Sequence, residues 1–284
     1  MSLTEGVDFI YVDIERGSSS NHVRIIKCLA DNSIWYVKQS REGNHHNHTS
    51  AIPELFGSVI ATHLLGEKYA PFNTVVKLDG VNHIISRAIE NFYPLEVKYF
   101  KDWFSSREKE SLSGTKNALK DHAAYDAFVM KACDISHNFL WHVAVYLLLS
   151  IHNKNKNLGY VLEDDTCVFT FLDFQNTHLQ TYGCLNTKDA SMMNCIDRHI
   201  LDRMFPLGKS SPNYYIGNQH LTKQELQEDL IKIGFMPLDL FRGLITQKFK
   251  ASAWYFDEQE LDLEKTVEQY VAYLYAMQVG FLQR

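Results

Sequence analysis

Asp173 and Phe174 stand sixteen residues after Asn157, which closes the polar stretch Ser150-Ile151-His152-Asn153-Lys154-Asn155-Lys156-Asn157 behind an apolar run. A carboxylate and an amide oxygen are ligands for a hard divalent cation, and ammonium groups such as those of Lys154 and Lys38 neutralise phosphate oxygens. Phosphoryl transfer asks for those two kinds of contact and for a group that orients the attacking hydroxyl. Lys38 ends a run rich in β-branched and aromatic residues, and Glu54, in the next apolar stretch, has the charge to hold that ammonium in place. Taken singly, these residues have plainer readings. A strand-end lysine is usually a solvated rim residue, and an acid in Leu-Asp-Phe is usually a turn residue or a helix N-cap. Asn157 behind Asp173 shifts the balance toward a metal site.

The elements that must position these groups can be read from the pattern. Phe9 to Ile14, Val23 to Leu29 and Ile34 to Lys38 read as strands, separated by Arg16-Gly17-Ser18-Ser19-Ser20-Asn21 and by Ala30-Asp31-Asn32-Ser33, whose Asx chemistry suits a hairpin turn. Thr49 or Ser50 can cap a helix with Pro53 and Glu54 near its start, Ile52, Phe56, Val59, Ile60 and Leu64 on one face, and Gly66 as its stop. Thr74 to Leu78 and His83 to Ile89 alternate around Asp79-Gly80 as another hairpin. The first ninety residues therefore predict a five-stranded sheet with one helix. Beyond Asn91-Phe92-Tyr93-Pro94 the period becomes helical, over Tyr125 to Asp134, Asn138 to Ile151, Leu221 to Ile233 and Leu263 to Leu282, the last with Val267, Tyr270, Val271, Leu274 and Tyr275 on one stripe. Only Gly159 to Leu162 and Thr166 to Leu172 interrupt with strand character. The expected fold class is α+β, with a small β-rich lobe over residues 1–91 and a larger helical lobe over 92–284.

With 284 residues and 45% hydrophobic content the chain can bury a substantial core, and a net charge of −6 disfavours wrapping a polyanion such as nucleic acid. Cys28, Cys133, Cys167, Cys184 and Cys195 are five in number, widely spaced and without a C-x-x-C pair, which fits a reducing compartment such as the cytoplasm. The N-terminus has no apolar signal region. The longest apolar run, Phe139 to Ile151, contains His142 and is too short to span a membrane, so no stable membrane insertion is expected.

In the order and spacing of these motifs, over about residues 8 to 175, the chain resembles an atypical protein-kinase-like fold. It is similar to HipA-type and phosphatidylinositol-kinase-type enzymes and to divergent kinases among secreted bacterial effectors such as those of Legionella. The resemblance implies a bilobal domain that binds ATP and Mg2+ in its cleft and transfers a phosphoryl group to a protein or small-molecule hydroxyl. An effector of this kind would act in a host cell cytosol. Set against the catalytic loop H-R-D-L-K-P-E-N, Lys154 falls where a lysine contacts the transferred phosphate, Asn157 where the asparagine binds magnesium, and His152 where the catalytic aspartate would be. Imidazole accepts a proton near neutral pH and can orient a hydroxyl. Asp173-Phe174-Gln175 stands in the place of Asp-Phe-Gly, which makes Asp173 a metal ligand and gives up the glycine's freedom at positive φ. Gly17, Ser18, Ser19 and Ser20 would cover the phosphates. Glu90 to Tyr93, Glu90 and Phe92 among them, falls at the hinge whose backbone reads adenine, and Tyr36 falls where a small residue usually lies against the base.

His152, Tyr36 and the glycine-poor loop equally suit a pseudokinase, a binding or scaffold module without chemistry. Nucleotidyl (AMP) transfer on the same fold is a third reading. His45, His46 and His48 read as a solvated loop, because three histidines in four residues need a distant fourth ligand to close a metal site. His142 reads as a core histidine, Asp164-Asp165 as a hairpin turn, and Trp103, Trp141 and Trp254 as core or interface aromatics.

Overall fold

A computed structural model describes residues 2–12, 24–39, 51–78, 80–94, 138–149, 158–163, 166–172, 174 and 223–283. Gly17 to Ser20, the His45 to His48 cluster, Trp103, the expected helix Tyr125 to Asp134, the whole of Ser150 to Asn157 with His152 and Lys154, the Asp164-Asp165 turn, and Asp173 lie outside the described residues. The fold is mixed α/β. The chain groups into two compact units, one formed by Met1–Ile89, Asp173–Thr177 and Pro237–Leu274, the other by Glu90–Leu172, His178–Met236 and Tyr275–Arg284.

The first unit is built on a sheet of β1 (Ser2–Leu3), β2 (Phe9–Tyr11), β3 (Arg24–Cys28), β4 (Ile34–Gln39), β5 (Asn73–Leu78) and β6 (Val81–Arg87), in the order β1-β5-β6-β4-β3-β2. It has one strand more than the five expected. Ser2 and Leu3 pair in parallel with Lys77 and Leu78, and two residues are too few to carry a period-2 signal. The β3–β4 hairpin closes as its sequence implies: Asp31 Oδ1 accepts the Ser33 N–H at 2.9 Å, and Asn32 takes φ +60°. Register puts Phe9, Ile26, Val37, Ile85, Val76 and Leu78 on one face, all buried, and Ile25, Ile84 and Val75, also buried, on the other.

The helix α1 (Ala51–Leu65) lies after β4 and stops before Gly66 at φ +89°. A single apolar face was expected of it, and that expectation is corrected. Every residue from Ala51 to Ser58 is buried, Ile60, Ala61 and Leu65 are buried as well, and Val59 and Leu64 are only partly so. The reason is that α1 is covered twice. Toward the sheet, Ser58 Oγ donates to the Pro71 carbonyl and accepts the Asn73 N–H, both at 2.8 Å. On another side, Phe56 packs on Tyr270 and Tyr273 at centroid distances of 4.3 and 5.9 Å. Those tyrosines belong to α6 (Leu263–Gln283), which follows α4 (Leu238–Lys250) and α5 (Ala253–Glu258), two helices that the sequence pattern did not single out. Pro237–Leu274 thus groups with the sheet. Glu258 of α5 accepts bonds from Lys77 and Asn82, joining that helix to the β5–β6 hairpin. Of the expected stripe, Val267, Tyr270, Val271 and Leu274 are buried, but Tyr275 is exposed.

The second unit holds the three-stranded sheet β7-β8-β9, formed by Phe92–Pro94, Leu158–Glu163 and Thr166–Phe171, all antiparallel. The β8–β9 hairpin is as expected. Helix α2 (Phe139–Leu149) packs Phe139 against Phe169 and Tyr146 against Phe171, with centroids 5.6 and 5.1 Å apart, and buries His142. Helix α3 (Lys223–Gly234) presents Leu226, Leu230 and Ile233 to the interior. Gln278 Nε2 donates to the Ile233 and Met236 carbonyls, both at 2.8 Å, and so ties α6 to the C-terminal end of α3. Among the described residues no helix is long and apolar enough to cross a membrane.

Lys248 of α4 sets a pH dependence for the first unit. Its Nζ lies 3.9 Å from the centre of the Phe72 ring, and burial pulls the ammonium down to about 8. The unfolded chain holds that proton to about 10.5 and the folded chain only to about 8, so the fold gains stability as pH rises between those values. The gap corresponds to roughly 3 kcal/mol, of which the ring face returns about 1. Lys248→Met should therefore raise stability at pH 7 by about 1–2 kcal/mol in chemical denaturation. Its advantage over the parent should shrink toward pH 10.5, and an advantage that does not change with pH would exclude the desolvated ammonium as its source.

Candidate functional site

Glu54 is the centre of the best-defined polar cluster of the first unit. A carboxylate in the first turn of a helix is ordinarily a surface group, yet Glu54 is 0% exposed. Burying an ionised carboxylate is expensive unless donors surround it. Oε2 accepts Asn73 Nδ2 at 2.7 Å and the Phe174 backbone N–H at 3.3 Å. The same Nδ2 also reaches the Glu54 carbonyl at 3.3 Å. One carboxylate thus joins β5, α1 and the residue after Asp173.

The Phe174 ring completes that junction from the apolar side. It is fully buried, and it lies so close to Gly57 that a Cβ there would stand 2.2 Å from ring carbon Cγ. Only a residue without a side chain allows the approach. Glu54 and Gly57 are three apart on α1 and hence on one side of the helix, so the carboxylate and the bare backbone grip the same residue. Leu172 and Phe174 therefore bracket Asp173 at a point where the chain has just left β9.

Lys38 lies in β4 opposite Ile84, and Ile84 in turn pairs with Val75. Two positions earlier, Tyr36 pairs with Ser86 and Ser86 with Asn73, so the Lys38 row neighbours the row that supplies the Glu54 donor. The sequence assigned Glu54 only to Lys38. The structure adds Asn73 and Phe174 as its partners, neither of which the motif reading found. The available signal was an acid inside the apolar run Ala51 to Leu65, which needs buried donors, and an asparagine opening the strand Asn73–Leu78.

Glu90 sits in the exposed turn before β7, and Phe92 is within β7 opposite Val161. The segment expected as a bare hinge is thus partly an edge strand. Gly17, Ser18, Ser19, Ser20, His152, Lys154, Asn157 and Asp173 are not among the described residues. Among the described residues, no three His, Cys, Asp or Glu side chains gather as a metal site would require.

No protein-family model matches the chain, and no curated protein matches it. Among solved structures it is similar to a Helicobacter pylori proinflammatory kinase, CtkA, with 14% identity and a TM-score of 0.49 over 99% of this chain and 93% of that one. A likeness at that level assigns neither fold nor activity to this chain.

The Gly57–Phe174 contact is testable by itself. Gly57→Ala gains about 1 kcal/mol of helix propensity, but overpacking against the ring outweighs it, for a net loss of about 1–3 kcal/mol in urea denaturation. In a Phe174→Ala background the same substitution should be neutral or stabilising. Additive losses in the double variant would show that the ring does not rest on Gly57.

Proposed function

We propose that the chain is an atypical protein-kinase-like phosphotransferase that uses ATP with Mg2+ and passes the γ-phosphoryl group to a protein or small-molecule hydroxyl. The observation that carries this reading is the bond from the Phe174 amide to the buried Glu54 carboxylate. It ties the helix that follows the Lys38 strand to the Asp-Phe dipeptide, the two parts of the chain that such chemistry must bring into one arrangement.

In this reading Glu54 holds the Lys38 ammonium, which neutralises charge on the α and β phosphates, and Lys154 contacts the group in transit. The backbone of Lys38 stands in the ladder row next to that of Asn73, which supports such a role, and a fully buried carboxylate is best stabilised when a cation joins its neutral donors. Asn157 and Asp173 offer one amide and one carboxylate oxygen. That donor set suits magnesium, which keeps several waters and phosphate oxygens as its remaining ligands. Bound there, the ion supplies neutralisation of the phosphate charge. His152 accepts the hydroxyl proton as the acceptor oxygen bonds to the γ-phosphorus and the bond to the ADP oxygen breaks. Gly17 and Ser18 to Ser20 cover the phosphates, and the backbone at Glu90 and Phe92 reads the adenine edge.

ATP with magnesium should raise the melting temperature of the protein by several degrees at saturating nucleotide, and Asp173→Ala should remove that shift. With labelled ATP, transfer of the γ-phosphate supports the phosphotransferase. Transfer of the α-phosphate would replace it with a nucleotidyl transferase, and nucleotide binding without either would replace it with a pseudokinase. His152→Ala should lower turnover by roughly a hundredfold or more while leaving the melting shift in place.

A further inference from the structure

We propose that Asn73 is a positioning residue that holds Glu54 as the acceptor for the Phe174 amide, so that the placement of Phe174 is dictated from β5 through α1. The side chain is suited to this and to little else. Asn73 is 1% exposed, its Nδ2 donates to both the carboxylate and the carbonyl of Glu54, and its own N–H is taken by Ser58 Oγ. Nδ2 thus touches the residue to be positioned at two points, whereas the backbone N–H anchors Asn73 to the same helix one turn further on. Asn73 Oδ1 accepts no hydrogen bond, although it is buried. An unsatisfied buried acceptor carries a penalty of about 1–3 kcal/mol. A residue kept only to hold a helix on a sheet would avoid that penalty with a hydroxyl or an apolar side chain; an amide is needed to present a donor of fixed direction to a carboxylate.

Ser58 supplies the internal comparison. Its hydroxyl joins the same helix to the start of the same strand through the Pro71 carbonyl and the Asn73 N–H, both at 2.8 Å, and not through the Glu54 carboxylate. Loss of either side chain loosens the α1–β5 junction, but only loss of Asn73 takes a donor from the carboxylate oxygen that also accepts the Phe174 N–H. The consequence for Asp173 rests on the phosphotransferase reading; the consequence for the Phe174 amide does not.

Hydrogen exchange of the full chain, read at the Phe174 amide relative to a core amide such as that of Leu274, separates the possibilities. Asn73→Ala should lower the relative protection of Phe174 at least tenfold, and Ser58→Ala should leave it within about threefold of the parent. Asn73→Asp sets a second carboxylate against Glu54 and should lose that protection. Adding Glu54→Gln restores one donor and one acceptor with their roles exchanged, and should recover most of it. Asn73→Ser, with a shorter donor, should fall between the parent and Asn73→Ala and serves if the alanine variant does not fold. Equal losses in Asn73→Ala and Ser58→Ala, or no recovery in the exchanged pair, would overturn the proposal. In the same samples, absence of an ATP-dependent melting shift in the parent chain would sink the phosphotransferase reading and leave the exchange result standing.

Discussion

A carboxylate removed from water must be surrounded by donors, and much of the first unit can be understood as meeting that demand at Glu54. Two donors among the described residues come from distant parts of the chain, Asn73 on the strand that follows the helix and the Phe174 amide a hundred and twenty residues on. Neither contact forms unless α1 is pressed onto the sheet and the Asp-Phe segment is brought back to it. The charge therefore acts less as a source of stability than as a condition on geometry. Removing one donor would leave a buried polar group short of a hydrogen bond, which is more damaging than replacing the whole group by an apolar one.

Pressing α1 onto the sheet requires cover on its other side. Phe56 meets Tyr270 and Tyr273, Tyr270 meets Phe249, and Phe249 meets Phe256, so α4, α5 and the first part of α6 present a continuous aromatic layer. Burial holds the phenols of Tyr270 and Tyr273 far above their ordinary range, so neither ionises at accessible pH. Full burial of each such ring is worth about 2–3 kcal/mol relative to exposure. Apolar packing thus supplies the free energy, and the polar contacts at Glu54, Ser58 and Asn73 select which packing is allowed.

What could be read in the sequence was what depends on local pattern. The Asp31 turn, the β5–β6 and β8–β9 hairpins and the end of α1 at Gly66 each follow from residues within a few positions of one another. Features that depend on distant partners were not legible. Helix α1 was read as one-sided because periodicity records which residues are apolar, not how many surfaces arrive to cover them. Helix α4 mixes Leu238, Phe241, Ile245 and Phe249 with Arg242, Gln247 and Lys248, a stripe visible only once its partner is known. At the site, chain order suggested Lys38, Glu54 and Asp173-Phe174. Asn73 escaped because an asparagine at the head of a strand looks like turn chemistry until the acid opposite it is known to be buried.

Gly57 shows how a bare position on a helix can fix a residue that is distant in sequence. The close approach is made on the helix, where the backbone at Gly57 is bare and the Phe174 ring lies against it. Freedom next to the phenylalanine would let the ring take several positions. A notch in a packed helix accepts it in one, since the ring contacts that hold it there exist only at that depth. With the amide bonded to Glu54 one turn away, both the backbone and the side chain of Phe174 are fixed from the same helix, so whatever moves α1 must also move the residue beside Asp173.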